Sequence, residues 1–506
     1  MALVCAMTVP ALADLQNVEV GGSVRIRGNY IGGTFTPFMA GAPTPVVRHG
    51  GLSVLKRPIG GPFNPNVVSV YDWDHAGADV SFVEQRTRLH VKAEFTDDVN
   101  AFIEMDSYDV WGEDFRSNYV TGMDGRAASV DDVEIFQAYI EAENMFDTPV
   151  RLRVGRQELA FGSQFLVGPR DFAFFYTGIS FDAVRATYAT DGYSVDAFAS
   201  KLAETFGDFG DGDVDFYGVY ATCTAVEDFT FDAYWLLLRD DRALANDFNG
   251  GFITEWVEDV WGVDDYDTTN LHTVGLRAAG VVGAFDFDAE VAYQFGDASA
   301  IGQTFKPGIY GDSDARFDAF ALKLDAGYTL DIWNSAHLFA GFRYYGGEDN
   351  RDISFLDWIN PFYKPTASLS FNRLFSNQIA SGFMDLNNDL SNAWLVRGGI
   401  EGAVTEKLRG RFCVTYYESL ADFDRPVVPL LTWWTNQNDD DLGIETYLFM
   451  EYHYSDDLVF EMGWAHLFPG DGLKQGNFNR WYGYLFDGGT DDDGGDYIYG
   501  GCKLYF

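Results

Sequence analysis

A chain of 506 residues with 34 Lys+Arg against 77 Asp+Glu carries a net charge of −43, which excludes a nucleic-acid binder that needs a basic footprint. Aromatics reach 17%, with 28 Tyr and 44 Phe, far above a typical soluble domain, and this suits the aromatic girdles of a membrane barrel. No internal apolar run approaches the ~20 residues that a membrane helix needs, so a helical membrane protein is excluded.

Residues 1–13, MALVCAMTVPALA, are apolar and end in Ala11-Leu12-Ala13, the pattern of a signal peptide that could begin further upstream. The mature domain is then expected over 14–506. Cys5 leaves with the leader. Cys223, Cys413 and Cys502 fall on separate predicted strands, which implies no disulfide framework and no CxxC metal pair.

From there the chain alternates at period two. Val18, Val20, Val24 and Ile26 oppose Glu19, Ser23, Arg25 and Arg27. After a Gly/Pro-rich loop, FVEQRTRLHVKAEF sets Glu84, Arg86, Arg88, His90, Lys92 and Glu94 against Val83, Thr87, Leu89, Val91, Ala93 and Phe95. A third strand lies near 100–111. The next places Phe136, Ala138 and Ile140 opposite Gln137, Tyr139 and Glu141, and its successor opposes Val150, Leu152 and Val154 to Arg151, Arg153 and Gln157. Val184, Ala186 and Tyr188 against Ala183, Arg185 and Thr187 follow, then Tyr193, Val195 and Ala197 against Ser194, Asp196 and Ser200. Further strands are predicted at 213–223, 228–239, 270–280, 284–296, 316–328, 336–346, 392–404, 407–418, 441–454, 457–468 and 496–506.

The total is about eighteen, an even number, and the connections alternate between short (190–191, 405–406, 455–456) and long (30–79, 159–179, 347–391). This predicts an all-β fold: a transmembrane antiparallel up-and-down β-barrel in the bacterial outer membrane, with short periplasmic turns and long extracellular loops. The last strand puts Ile498, Cys502, Leu504 and Phe506 on the lipid side, and a terminal aromatic there resembles the signal read by outer-membrane assembly machinery. A soluble all-β protein is the rival. Closure favours the barrel because it leaves no unpaired edge in lipid.

The basic residues opposite the apolar faces are Arg25, Arg27, Arg86, Arg88, Lys92, Arg151, Arg153, Arg185, Arg277, Lys323, Arg343, Arg397, Arg409, Arg411 and Lys503. Carboxylates share that face, among them Glu84, Glu104, Glu141, Asp196, Asp288, Glu290, Asp325, Glu401, Glu445 and Glu461. One reading has planar guanidinium groups pairing with successive oxyanions of a passing solute. The other has each arginine pinned to a neighbouring carboxylate.

The run RVGRQELAFG (Arg153 to Gly162), FDAVR (Phe181 to Arg185), LGIETY (Leu442 to Tyr447) and LFPG (Leu467 to Gly470) resembles the alginate-export outer-membrane porin family. The resemblance implies a monomeric eighteen-stranded barrel passing an anionic uronate polymer through an arginine-lined lumen. The positions that match are Arg153, Arg156, Gln157, Asp182 and Arg185. This chain departs from the family in its very acidic loops and in its large segments at 30–79 and 347–391.

The expected activity is a passive channel for anionic solutes, with outer-membrane lipid and an anionic polysaccharide or small solutes as partners. Alternatives are a general or cation-preferring porin set by the acidic loops, and a surface structural or adhesion barrel with a plugged lumen. Asp208, Asp211, Asp213 and Asp215 in the Asp/Gly-rich turn could ligate Ca²⁺ through oxygen, without the full spacing of a calcium loop; otherwise they are solvated surface. No other cofactor is indicated. Seven scattered His without HExxH or a G-x-S-x-G elbow give no sign of an enzyme.

Overall fold

The computed structural model describes residues 15–32, 80–95, 98–111, 133–169, 178–204, 213–241, 268–297, 316–332, 335–347, 368–380, 382–385, 390–420, 440–471 and 494–506. The proposed leader at 1–13 and residues 33–79 lie outside them.

Eighteen antiparallel strands form one closed sheet. In chain order they are β1 (Leu15–Gly32), β2 (Val80–Phe95), β3 (Val99–Val110), β4 (Glu134–Ala142), β5 (Val150–Gln157), β6 (Phe181–Ala189), β7 (Tyr193–Ala203), β8 (Val214–Cys223), β9 (Phe229–Asp240), β10 (Thr269–Val282), β11 (Phe285–Asp297), β12 (Arg316–Leu330), β13 (Ala336–Tyr345), β15 (Ala393–Ala403), β16 (Leu408–Ser419), β17 (Asp441–His453), β18 (Leu458–Pro469) and β19 (Gly495–Tyr505). The two-residue β14 (Ser368–Leu369) is extra and lies parallel to the start of β12. Each barrel strand pairs with the next, and β1 pairs with β19 from Ser23↔Tyr505 to Gly32↔Asp496, so no edge is left open. Beyond the last strand, Gly22 N donates to Phe506 O at 2.8 Å and Phe506 N to Gly22 O at 3.1 Å.

The two faces differ as alternation requires. Val18, Val20, Ile103, Ile140, Val184, Leu276, Phe320, Val396, Phe412 and Ile444 are exposed, while the residues between them are largely buried or ion-paired inside. The exposed set forms the lipid-facing wall. Four register shifts interrupt the ladders; at the one between Glu104 and Met105, Phe136 turns inward beside Gln137 instead of outward with Ala138 and Ile140. Gly155 holds φ at +129°, where a Cβ would meet Ala138 O at 2.3 Å, so only glycine lets β4 and β5 close here.

A basic side chain on the lipid wall is costly at mid-depth and tolerated inside. Leu276→Arg, at an outward position 62% exposed, is expected to destabilise the vesicle-embedded barrel by about 2–4 kcal/mol in urea titration. Ala279→Arg, facing inward opposite Asp288, is expected to change it by less than about 1 kcal/mol.

Candidate functional site: the barrel interior

The inner wall carries ion pairs on nearly every strand. Arg27 Nε lies 2.7 Å from Glu84, Arg86 Nη2 2.5 Å from Asp106, and Arg88 Nε 3.1 Å from Glu104. Arg153 reaches Glu141 at 2.6 Å and Arg151 at 3.7 Å, while Arg185 meets Asp196 at 2.8 Å. Arg277 bridges Asp232 and Asp288 at 2.8 and 2.9 Å, and Lys323 adds a contact to Asp288 at 2.8 Å. Asp325 joins Arg343 at 2.7 Å to Arg397 at 3.1 Å. Arg411 faces Glu401 at 3.7 Å, Lys503 holds Glu461 at 2.5 Å, and Lys92 holds Glu94 at 2.6 Å. Arg25 is half-buried opposite Arg86, and Arg409 is exposed opposite Glu451. Carboxylate partners are thus present throughout the wall, while several cations stand directly side by side in register.

These like-charged neighbours are set by register. Lys503, Arg25 and Arg86 occupy one row across β19, β1 and β2, while Arg153 lies opposite Arg185 and Lys323 opposite Arg343. Acidic counterparts also occur, at Asp288↔Asp325 and Glu451↔Glu461. Aromatic rings lie against the guanidinium groups: Phe136 against Arg88 at 4.2 Å, Tyr139 against Arg153 at 4.3 Å, Phe161 against Arg185 at 4.9 Å and Phe339 against Arg411 at 4.5 Å.

Three sequence-proposed positions differ. Gln157 faces inward but is fully buried, donating to Ala183 O at 3.0 Å and Gly155 O at 3.2 Å. Arg156 and Asp182 share the lipid-facing parity of Val154 and Val184 and pair with each other at 2.8 Å, so they stand on the outer wall and not in the bore. Matching a motif carries residue type but not face, and in a strand one step of parity decides the side. Of the calcium candidates, Asp208 and Asp211 lie outside the described residues; Asp213 and Asp215 turn to Lys201 at 2.5 and 2.9 Å.

Two connections read from the sequence as outer loops contribute segments that line the barrel. Residues 158–169 pack Leu159, Phe161, Phe165, Leu166 and Val167 against inward Phe198, Phe216, Tyr220, Leu236 and Tyr345. Residues 370–380, with 382–385 and 390–392 of the same connection, touch them through a parallel bridge, Val167↔Phe375, with Phe375 N donating to Leu166 O and Gly168 N to Phe375 O, each at 2.9 Å. This second segment then packs Ala380, Phe383, Met384 and Leu390 against Leu395, Tyr417, Leu442, Leu467 and Tyr497. Its centre is Arg373, fully buried, bound to Asp385 at 2.5 Å, donating to Gln378 O at 2.6 Å, and lying 4.5 Å from the Tyr345 ring. Asp385 also accepts from Ala380 N at 2.8 Å. The wall grips the segment through Glu445, which accepts from Gly382 N at 2.6 Å, Met384 N at 3.0 Å and the Tyr417 hydroxyl at 3.2 Å.

Sequence reasoning missed Arg373, Asp385 and these contacts of Glu445. A signal was present in Tyr234-Trp235-Leu236-Leu237-Leu238, five apolar residues in a row on β9. A strand apolar on both faces needs a cover inside as well as lipid outside.

Removing one partner of a buried ion pair costs about 3–5 kcal/mol, far more than a surface pair. Arg373→Ala is therefore expected to loosen the inner segment while the sheet stays closed. Single-channel conductance in planar bilayers should rise with unchanged heat-modifiable gel mobility; unchanged conductance would show that the segment does not set the bore.

The fold has relatives among solved structures. Acinetobacter baumannii OccAB1 superposes with a TM-score of 0.52 at 11% identity, covering 96% of this chain and 97% of that one. Pseudomonas aeruginosa OccK8 (OprE) gives 0.49 at 12% identity over 96% and 98%. Among curated proteins, none matches by sequence. The family model described as alginate export matches residues 74–480. With most of its length inside that match and its strands closed into an eighteen-stranded barrel, the chain belongs to the alginate-export family and is an outer-membrane channel.

Proposed function

We propose that the channel passes anionic solutes, a carboxylate-bearing polysaccharide of the alginate type among them, along guanidinium groups on its inner wall. The observation that carries this reading is the basic row Lys503, Arg25 and Arg86, three cations on three adjacent strands, of which Arg86 is buried against Asp106 while Arg25 and Lys503 stay partly exposed. Like charges set directly opposite one another are destabilising across a sheet, and a wall built only for its own cohesion would alternate them. A passing carboxylate relieves that repulsion, and Arg offers it two parallel donors. Because Arg86 and its neighbours Arg27 and Arg88 remain tied to Asp106, Glu84 and Glu104, each contact with the solute is weak enough to release it.

The carboxylate pairs Asp288↔Asp325 and Glu451↔Glu461 favour a second reading, cation preference, and bilayer electrophysiology separates the two. Under a salt gradient the wild type is expected to show an anion-selective reversal potential and to be blocked by short oligouronates. Arg25→Ala with Lys503→Ala should move the reversal potential toward cations and weaken the block by about tenfold or more, the loss of one to two charge-assisted contacts. A cation-selective wild type unaffected by these substitutions would remove the anion reading. A barrel with no conductance at all would point to a structural role.

A further inference from the structure

Across the membrane the seam between β1 and β19 leaves no edge, but it stops at Gly22, whose N–H and C=O pair with Phe506 at 2.8 and 3.1 Å. β1 runs on past it. Leu15–Gly21 continue to pair on one side only, with β2, from Leu15↔Phe95 to Gly21↔His90. At the rise of a β-strand this overhang is about 23 Å long. It lies beside the short β2–β3 turn, at the periplasmic rim of the barrel.

The direction of each backbone group in the overhang follows from the ladder. In an antiparallel sheet, alternate residues turn both N–H and C=O to the same neighbour. Gly22 turns them to β19. Val20 and Val18, in unbroken register with β2, therefore turn theirs the same way, and no described residue pairs with them there. Glu19 and Gly21 turn theirs to β2. Residues 15–20 are exposed without interruption, and Leu15, Val18 and Val20 keep 56, 49 and 65% of their surface open. Unpaired backbone groups are expelled from hydrocarbon, so the open side of the overhang stands in water at the rim. An open edge of this kind is a template for another strand.

We propose that this edge docks an extended segment of a periplasmic protein, which adds to β1 as an antiparallel strand in line with β19. Strand addition takes its affinity from main-chain hydrogen bonds and its selectivity from alternate side chains. The two faces of the overhang specify that partner's chemistry. Outward, Leu15, Val18 and Val20 call for apolar residues that suit a strand. Inward, Glu19 lies opposite Lys92, whose ammonium is held at 2.6 Å by Glu94, and Glu94 also accepts from Asn17 at 3.3 Å. Two carboxylates thus share one ammonium, and an opposite charge on the next strand is the favourable pairing. A segment that alternates Val or Ile with Lys or Arg meets both faces. The Phe506 ring lies over Gly22, 2.9 Å from where a Cβ would stand, and marks the upper limit of the added strand. Docking there holds the partner beside the periplasmic mouth of the bore.

The test uses the full chain in detergent micelles and the synthetic peptide KVKVKVK, with EVEVEVE as its charge-reversed control, read by hydrogen exchange resolved to single amides. The Val18 and Val20 amides are expected to exchange freely in the protein alone and at least about tenfold more slowly at saturating KVKVKVK, while those of Glu19 and Gly21 are protected throughout. Val20→Pro removes one open-edge donor and none of the bonds to β2, and should weaken peptide binding by about tenfold with unchanged heat-modifiable gel mobility. If that variant does not fold, Glu19→Lys should reverse the preference from KVKVKVK to EVEVEVE. Protection of Val18 and Val20 without peptide would show that another part of the chain or a second copy fills the edge, and would overturn the proposal. Equal binding of the two peptides, or binding indifferent to both substitutions, would overturn it as well.

Discussion

Backbone hydrogen bonding is the constraint under which everything else in this molecule is arranged. Inside a bilayer no water completes an unpaired N–H or C=O, and each one left open costs several kcal/mol. The register of β1 with β19, unbroken from Ser23↔Tyr505 to Gly32↔Asp496, removes the last edge. Once the sheet is closed, side-chain direction is no longer negotiable: every second residue meets lipid and the others meet the interior.

That forced alternation explains the interior electrostatics. Inward positions carry many charges, and a charge without a partner in so confined a space is expensive. The wall answers with pairs that cross from strand to strand, such as Asp325 shared by Arg343 and Arg397, and Arg277 shared between Asp232 and Asp288. Local glycine makes room where a pair must span a strand. Gly327 has no side chain to obstruct His337 Nε2, which reaches Asp286 at 2.9 Å over β12; a Cβ there would lie 2.1 Å from that nitrogen. The same closeness places Lys503, Arg25 and Arg86 shoulder to shoulder, a juxtaposition that a wall made only for its own stability would avoid.

The described inward segments divide the barrel by chemistry. Toward the extracellular end the inner wall is apolar and covered by Phe161, Phe165, Phe371 and Phe375 on one side and by Phe383, Met384 and Leu390 on the other. Hydrophobic burial draws the segments in, and a few polar anchors fix where they stop: Glu445 on the wall, Gln294 exchanging hydrogen bonds of 2.7 Å with the Asn372 backbone, and Ser163 donating to Glu290 at 2.6 Å.

Much of this was legible in the linear chain. Period-two alternation and the rhythm of short and long connections determine eighteen strands, and predicted limits such as 441–454 and 457–468 fall within a residue or so of Asp441–His453 and Leu458–Pro469. Face parity likewise set Arg86, Arg153, Arg277 and Arg411 on the faces where they meet Asp106, Glu141, Asp288 and Glu401. What local pattern could not reach were events requiring two distant segments: the bulge that turns Phe136 inward, the Arg373–Asp385 pair, and the grip of Glu445 on residues 382–384. Nor could a motif reveal that Arg156 and Asp182 face outward. Alternation along a strand is a property of neighbouring residues and is written in the sequence, whereas the contents of the bore depend on which remote apolar surfaces meet once the cylinder has closed.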